Sequence, residues 1–170
     1  MSISMYQASA PRFARLLRNL SAILAKAQAH VEAKKLDAAA LTGYRLFPDM
    51  FPLTRQVQIA CDTAKGAVAR LAGAEIPKHE DTEQTFAELR ARIAKTLDFL
   101  QSLPRGKFDG AESREVVMKL RGEDVKFRGD QYLLNHATPN FYFHVTTAYA
   151  ILRHNGVELG KRDFIGNPLT

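Results

Sequence analysis

The chain has 170 residues and a formal net charge of +6, with 46% hydrophobic and 25% charged residues, which excludes a chain that is disordered throughout. The length fits a single domain over residues 1–170. No apolar stretch reaches the ~18 residues of a membrane span, and residues 1–15 lack the pattern of a signal peptide.

The cysteine count indicates the cellular compartment, and the charge distribution limits the kinds of partner. Cys61 is the one cysteine and cannot form an internal disulfide, which favours a reducing compartment, so we expect a cytoplasmic protein. The basic residues are scattered between Arg12 and Arg162 and are interleaved with acidic ones. Because nucleic-acid binding needs basic side chains on one face, the sequence argues against a nucleic-acid partner, and it contains no signal for a membrane partner.

Four segments carry apolar residues at three- and four-residue spacing, which predicts four amphipathic helices. They cover about residues 13–27, 52–72, 81–103 and 139–154, with one short helix around 37–41. Asp81 and Gln84 have the spacing of a capping box at the start of the third helix. We expect Gln131–Ala137 to form a short turn, after which Pro139 restarts the chain as an early helical residue.

The segment before the last helix changes its period. Val116, Met118 and Leu120 recur at every second position, and the pattern resumes after a Gly-containing turn at 121–124. A period of two around such a turn predicts a β-hairpin over about 115–128, which should pack across the bundle. The predicted fold is therefore an all-α four-helix bundle with one hairpin before its last helix.

Five polar residues are candidates for a pocket. His144 lies at the edge of the apolar stripe of the last helix, and Asn140 shares that edge one turn earlier. On the second helix, Gln56 flanks the stripe, whereas Gln58 and Asp62 occupy another face. An imidazole and an amide one turn apart can bind a metal, polarise a carbonyl or hydrogen-bond a ligand. The alternative is a hydrogen-bonded histidine at the core boundary with solvent-facing amides.

Local motifs do not add a catalytic signature. The histidines form neither HxxxH nor HExxH, so no metal site follows from a local motif. Cys61 lies on the apolar side of the second helix without an adjacent histidine, which indicates a buried and inert thiol.

Several segments resemble a bacterial family of unknown function within the DinB/YfiT-like four-helix bundles. They read RLLRNLSAIL near the N-terminus, RLFPDMFPLTRQVQIACDTAKGAVARLAG around the second helix, and YLLN followed by PNFYFHVTTAYAILRHNGVELGKRDFIG in the last part of the chain. The similarity extends over nearly the whole chain. It implies a four-helix bundle with a left-handed crossover connection, and a homodimer.

The resemblance also implies where a metal site would lie. Better-studied members of the superfamily bind a divalent metal, often nickel or zinc, through one histidine on the second helix and an HxxxH on the fourth, and some are thiol-dependent transferases or isomerases. By position, His144 matches the second histidine of that motif and Asn140 replaces the first. The helix-two position falls on Gln58 by local context or on Gln56 by helix-wheel position. Amides are poor ligands for nickel or zinc.

Two main hypotheses follow. In the first, the chain is a ligand-binding or non-catalytic protein, without a cofactor, in which Asn140, His144 and the helix-two glutamine (Gln56 or Gln58) form a polar pocket between helices for an unknown small molecule. In the second, it is a nickel- or zinc-dependent enzyme, a thiol transferase, isomerase or hydrolase. In that case His144 is a candidate metal ligand, and Asp62 or His136 completes the site. The sequence leaves open whether the chain is an enzyme.

Overall fold

Eight helices and one hairpin make up the described part of the chain, residues 3–120 and 122–167 of the computed structural model. The helices are α1 (Met5–Ala8), α2 (Ala10–Lys34), α3 (Ala38–Thr42), α4 (Leu53–Ala72), α5 (Phe86–Ser102), α6 (Gly129–Gln131), α7 (Thr138–His154) and α8 (Lys161–Ile165). The strands are β1 (Glu115–Leu120) and β2 (Glu123–Arg128), a 3₁₀ turn spans Arg105–Phe108, and a π turn spans Tyr132–Ala137. Within these residues, no helix combines the length and the apolar character that crossing a bilayer requires.

The four long helices α2, α4, α5 and α7 enclose one continuous apolar core. Helix α4 packs against α7 and α5, and α2 packs against the other three. Each helix contributes buried side chains at helical spacing, for example Leu17, Val57, Ile93 and Phe141. The ring of Phe141 meets that of Phe13 edge to face at 4.7 Å. The predicted four-helix bundle is confirmed, and the handedness of its connection stays a prediction.

The hairpin lies where the period of two predicts it. Strands β1 and β2 pair antiparallel with Val116 opposite Phe127. Val116 is buried, and the ring of Phe127 packs beside those of Tyr132 and His136 at 6.0 and 5.9 Å. The hairpin is therefore held against the start of the last helical segment. Arg121, in the predicted turn, lies outside the described residues.

The start of α5 differs from the prediction. The helix begins at Phe86 and not near Asp81, because Thr85 and Glu88 form the capping box. Thr85 Oγ1 accepts a hydrogen bond from the Glu88 amide at 3.2 Å, and Glu88 Oε2 accepts one from the Thr85 amide at 2.9 Å. Asp81 instead pairs with Arg92 at 2.9 Å. The chain between α4 and α5 is consequently an irregular linker.

The last helical segment is continuous where a break was predicted. Gln131–Ala137 is not a separate turn, because α6, the π turn and α7 follow one another without a gap. Pro139 lacks an N–H group to donate, and the π turn directly before it widens the spiral. Pro139 is an early residue of α7, as predicted, but the chain reaches it as helix and not after a break. The helix ends at His154, with Asn155 as the C-cap, as predicted.

The C-terminal segment is tied to the outside of α2. Lys26 Nζ pairs with Asp163 at 2.6 Å, and Asn19 Nδ2 donates to the carbonyl oxygen of Phe164 at 2.9 Å. The ring of Phe164 also contacts that of Tyr149 on α7, with centroids 5.9 Å apart. Helix α8 thereby covers the edge where α2 and α7 meet.

Gly129, the first residue of α6, tests how tightly the hairpin end packs on the bundle. A Cβ atom at this position would overlap the carbonyl oxygen of Ala111 and lie 3.3 Å from Leu71 Cδ2. We expect Gly129→Ala to lower the free energy of unfolding by about 1–3 kcal/mol through overpacking, measured by urea denaturation. In the control Gly160→Ala, the backbone has φ −129° and the nearest atom is 3.9 Å from the new Cβ. That variant should stay within about 0.5 kcal/mol of wild type. Equal free energies of unfolding for the two variants would contradict the close approach of Gly129 to Ala111.

Candidate functional site

His144 is buried between α4 and α7 and is held by one amide. Its Nδ1 lies 2.7 Å from Gln56 Oε1, and Gln56 Nε2 donates to the carbonyl oxygen of Phe51 at 3.0 Å. Because the Phe51 carbonyl can only accept, it fixes which end of the Gln56 amide faces the imidazole. The amide oxygen can also only accept, so the imidazole proton lies on Nδ1.

This hydrogen-bond chain leaves Nε2 of His144 without a proton. Burial, and then the positive charge of Arg55, lower the pKa of His144, so the imidazole is neutral near neutral pH. Nε2 has no hydrogen-bond partner among the described residues. This nitrogen is not fully buried, so it retains contact with solvent. The side chain can therefore accept a hydrogen bond from a ligand that donates one.

Asn140 and Gln56 occupy the same helix interface. Asn140 Nδ2 donates to Thr63 Oγ1 of α4 at 2.8 Å, one helical turn before His144. Gln56 precedes Thr63 on α4, whereas its partner His144 follows Asn140 on α7. The helices α4 and α7 are therefore antiparallel. Of the two α4 amides that the sequence left open, the structure brings Gln56 to His144.

Gln58 and Asp62 lie on the other side of α4, toward α5 and the linker. Gln58 Nε2 donates to Glu83 Oε2 at 2.9 Å, and Asp62 Oδ1 accepts from Arg92 Nη2 at 2.8 Å. Lys65 Nζ also lies 2.8 Å from Asp62. The five predicted polar residues therefore form two groups on two sides of one helix and do not face a common space.

Arg92 is the centre of a charged cluster that the sequence analysis did not single out. Its side chain is 1% exposed and lies 2.8, 2.9 and 3.1 Å from carboxylate oxygens of Asp62, Asp81 and Glu83. Its Nη1 also donates to the carbonyl oxygen of Glu80 at 3.0 Å. One guanidinium thus joins α4, α5 and the linker. A buried charge is tolerated only when it is paired in this way.

The cluster shifts the pKa values of Glu83 and Arg92 so that both stay charged. Burial alone would raise the pKa of Glu83, but hydrogen bonds from Gln58, the backbone and Arg92 outweigh burial, and the pKa is lowered. Burial likewise opposes the charge of Arg92, yet the neighbouring carboxylates of Asp62 and Glu83 raise its pKa. Both partners are therefore charged over the whole physiological range.

A signal for Arg92 is present in the sequence. It stands directly before Ile93 and three residues after Leu89, inside the apolar stripe of α5, and the buried Thr96 follows one turn later. A charged residue inside an apolar stripe is almost never fully buried unless it is paired. That position predicts a buried ion pair, although it does not identify the partners.

A cleft of about 650 Å³ opens beside the cluster, between α3, the start of α4 and the linker. Its polar lining comes from Asp37, Thr42, Thr54, Arg55, Gln58, Asp81, Glu83, Gln84 and Thr85. Small or apolar residues form the rest of the wall, namely Ala38, Ala39, Gly43 and Pro52. This volume lies within the range of about 300–1,000 Å³ that is typical of small-molecule sites.

The residues around His144 do not fit a divalent metal. In the chain segments that the structure describes, no group of three His, Cys, Asp or Glu side chains could hold one. Asp62 is bound to Arg92 on the far side of α4, and His136 stacks on Tyr132 beside the hairpin at 5.9 Å. Neither completes a site with His144, and the remaining donors there are amides, which bind zinc or nickel poorly.

The tautomer and the pKa of His144 are directly measurable. We expect ¹H–¹⁵N NMR to place the proton on Nδ1 and to give a pKa below 6.5. Since the folded pKa lies below the unfolded one, the free energy of unfolding should fall as the pH drops from the unfolded toward the folded pKa. Gln56→Glu places a carboxylate beside Nδ1 and should raise the pKa above 6.5.

A matched control for this titration is Gln101→Glu, at an exposed position of α5. It should leave the titration of His144 unchanged. A proton on Nε2 in the wild type, or an unchanged pKa in Gln56→Glu, would contradict the hydrogen-bond chain from Phe51 through Gln56 to His144.

Comparison with known proteins places this fold. The model of a family described as a domain of unknown function, DUF1993, matches residues 5–165. The chain is 47% identical to a DinB family member protein from Shewanella denitrificans whose crystal structure is known at 1.83 Å resolution. The match has a TM-score of 0.90 and covers 96% of this chain and 92% of that chain. No match was found among curated proteins. The chain belongs to the DUF1993 family of domains of unknown function, within the DinB-like superfamily.

Proposed function

We propose that this protein binds a small polar molecule, without a metal, in the cleft beside Arg92. The observation that carries the proposal is the cleft of about 650 Å³ into which the chain directs buried polar side chains. Gln58 is 4% exposed, and the Glu83 side chain is 11% exposed, although both line the cleft. Buried polar groups at a cavity wall give orientation and specificity to a bound ligand.

The lining is held in place before any ligand arrives. Gln58 is fixed at both ends, because its Oε1 accepts from Arg55 Nη1 at 3.2 Å and its Nε2 donates to Glu83. Glu83 is fixed in turn by Arg92 at 3.1 Å. Such preorganisation reduces the entropy lost on binding.

The rim of the cleft supplies both signs of charge. Arg55 and Asp81 form an ion pair there, and their side chains are 38% and 41% exposed. Exposed pairs of this kind contribute little to stability, and each member here also holds a neighbour, Arg55 the amide of Gln58 and Asp81 the guanidinium of Arg92. A ligand with both hydrogen-bond donors and acceptors fits this lining best.

In this proposal, His144 and Gln56 support the cleft from the opposite side of α4. Gln56 ties α7 to the carbonyl of Phe51, immediately before α4. The residues that follow Phe51, including Pro52 and Thr54, line the cleft. Gln56 and His144 thereby fix the start of α4, the helix that carries Gln58. A nickel- or zinc-dependent transferase, isomerase or hydrolase is less well supported, because the donors around His144 are amides.

We also propose that the protein is a cytoplasmic homodimer. A single buried thiol, Cys61, whose pKa burial raises to about 12, suits a reducing compartment. An exposed apolar surface on α7 supports a second copy, since surfaces of that kind mark interaction sites.

Screening a library of small polar fragments against ¹⁵N-labelled protein tests the ligand proposal. We expect binding fragments to shift the amide signals of residues 37–43, 52–58 and 81–85, without any added metal. Ala38→Trp fills the cleft from the first residue of α3 and should weaken these fragments by at least about tenfold, or about 1.4 kcal/mol.

Ala91→Trp is the matched control, because Ala91 is exposed on α5 and does not line the cleft. It should leave fragment affinity within about twofold of wild type. Fragments whose shifts cluster only around His144, or whose binding requires nickel or zinc, would contradict the proposal.

A further inference from the structure

The cleft beside Arg92 contains one edge of a guanidinium that has no partner within the chain. Arg55 lines the cleft, and its Nη1 is occupied by Gln58 Oε1 at 3.2 Å and by the carboxylate of Asp81. Its Nε and Nη2 have no hydrogen-bond partner among the described residues, and neither nitrogen is fully buried. These two N–H groups form the planar fork with which an arginine binds a carboxylate through two parallel hydrogen bonds.

The same cleft contains one carboxylate that no cation neutralises. Asp37, directly before α3, lines the cleft and is exposed. Its Oδ1 accepts a hydrogen bond from the Ala39 amide at 2.9 Å, and no basic side chain pairs with it within residues 3–120 and 122–167. The carboxylates of Asp81 and Glu83, by contrast, both pair with Arg92. Asp37 therefore has an oxygen left to accept from a cationic donor.

The charges of the lining favour a ligand that carries both signs. In the described part of the chain, Arg55 is the one basic residue that lines the cleft, and three carboxylates line it with Arg55, those of Asp37, Asp81 and Glu83. A phosphate dianion bound to Arg55 would be repelled by these carboxylates. One negative and one positive group on the same molecule would satisfy both Arg55 and Asp37.

The rest of the wall leaves room for the uncharged part of such a molecule. Its small or apolar residues are Ala38, Ala39, Gly43 and Pro52, in a cleft of about 650 Å³. Gln84 also lines the cleft, and its exposed side-chain amide has no partner among the described residues. An amide offers both donors and an acceptor, as a peptide group does.

We propose that the cleft binds a zwitterion of the size of an amino acid or a short peptide, with its carboxylate on Nε and Nη2 of Arg55 and its ammonium group on Asp37. This inference rests on the proposed binding of a small polar molecule in the cleft and names the class of that ligand. Neither contact displaces Gln58 or Asp81 from Nη1 of Arg55, so the lining keeps its internal hydrogen bonds when the ligand binds.

The test compares ligands that differ at one charged end. The common amino acids, and dipeptides and tripeptides with both ends free, are titrated into the ¹⁵N-labelled full chain. The strongest binder is then compared with its C-terminal amide and with its N-acetyl form. We expect the free form to shift the amide signals of residues 37–43, 52–58 and 81–85. Each blocked form should bind at least about tenfold more weakly, because it loses a charged hydrogen-bonding group.

Two substitutions assign the two ends. Arg55→Lys keeps the charge but removes the planar fork, and Asp37→Asn removes the charge but keeps an oxygen for the Ala39 amide. Each should weaken the free ligand by about tenfold. Arg55→Lys should leave the affinity for the C-terminal amide within about twofold of wild type, and Asp37→Asn should do so for the N-acetyl form. Arg90→Lys and Asp98→Asn are the matched controls, at exposed positions of α5 outside the cleft, and should change neither affinity.

The outcomes separate this inference from the proposed site. Fragments that bind the cleft, together with free and blocked ligands of equal affinity, would overturn the zwitterion and leave the site intact. A zwitterion whose affinity is unchanged in both Arg55→Lys and Asp37→Asn would also overturn it. If neither fragments nor zwitterions shift the cleft signals, both proposals are wrong. The comparison of free and blocked ligands uses the wild type alone, so it does not depend on the stability of either variant.

Discussion

The arrangement of the cleft depends on the ion pairs of the buried Arg92 guanidinium. This guanidinium is neutralised by three carboxylates that come from α4 and from the linker before α5. An unpaired charge in this position would be strongly destabilising. The linker has little regular structure of its own, so its position depends on these contacts. The same contacts that neutralise Arg92 therefore fix Asp81 and Glu83 where they line the cleft.

Helix α4 links this cluster to the opposite side of the bundle. Gln58 and Asp62 face Arg92 and the linker, and Gln56 faces His144 on α7. Because both groups lie on the same rigid helix, the first turn of α4 is fixed from two sides. Most polar side chains along α4 are consequently committed to partners within the chain, and the open space lies at the end of the helix where α3 and the linker approach.

Much of the fold follows from periodicity in the sequence. Stripes such as the one through Leu89 and Ile93 fix the faces of the helices, because burial of apolar surface dominates folding. The start of α5 does not follow, since Asp81 with Gln84 and Thr85 with Glu88 both have capping-box spacing, and in the structure Thr85 and Glu88 form the box while Asp81 pairs with Arg92. The last helical segment also continues to Pro139 through a π turn, and no local pattern in the sequence predicts that turn.

The candidate site was predictable only in part, for a physical reason. The helix wheel places His144 and Gln56 at the edges of two apolar stripes but leaves Gln58 open as well, and the structure joins Gln56 to His144 at 2.7 Å. Arg92 stood out only as a charge within an apolar stripe, because its partners Asp62 and Glu83 come from other elements. Contacts between separate elements are set by tertiary packing, which periodicity does not encode.

Elemental analysis of untagged protein tests the central claim, a binding protein without a metal, most directly. The protein is incubated with nickel and then with zinc, dialysed, and compared with His144→Ala treated in the same way. The account predicts far less than one metal ion per chain in both proteins, since amides around one imidazole hold these ions poorly. Close to one ion per chain in the wild type, lost in His144→Ala, would contradict it.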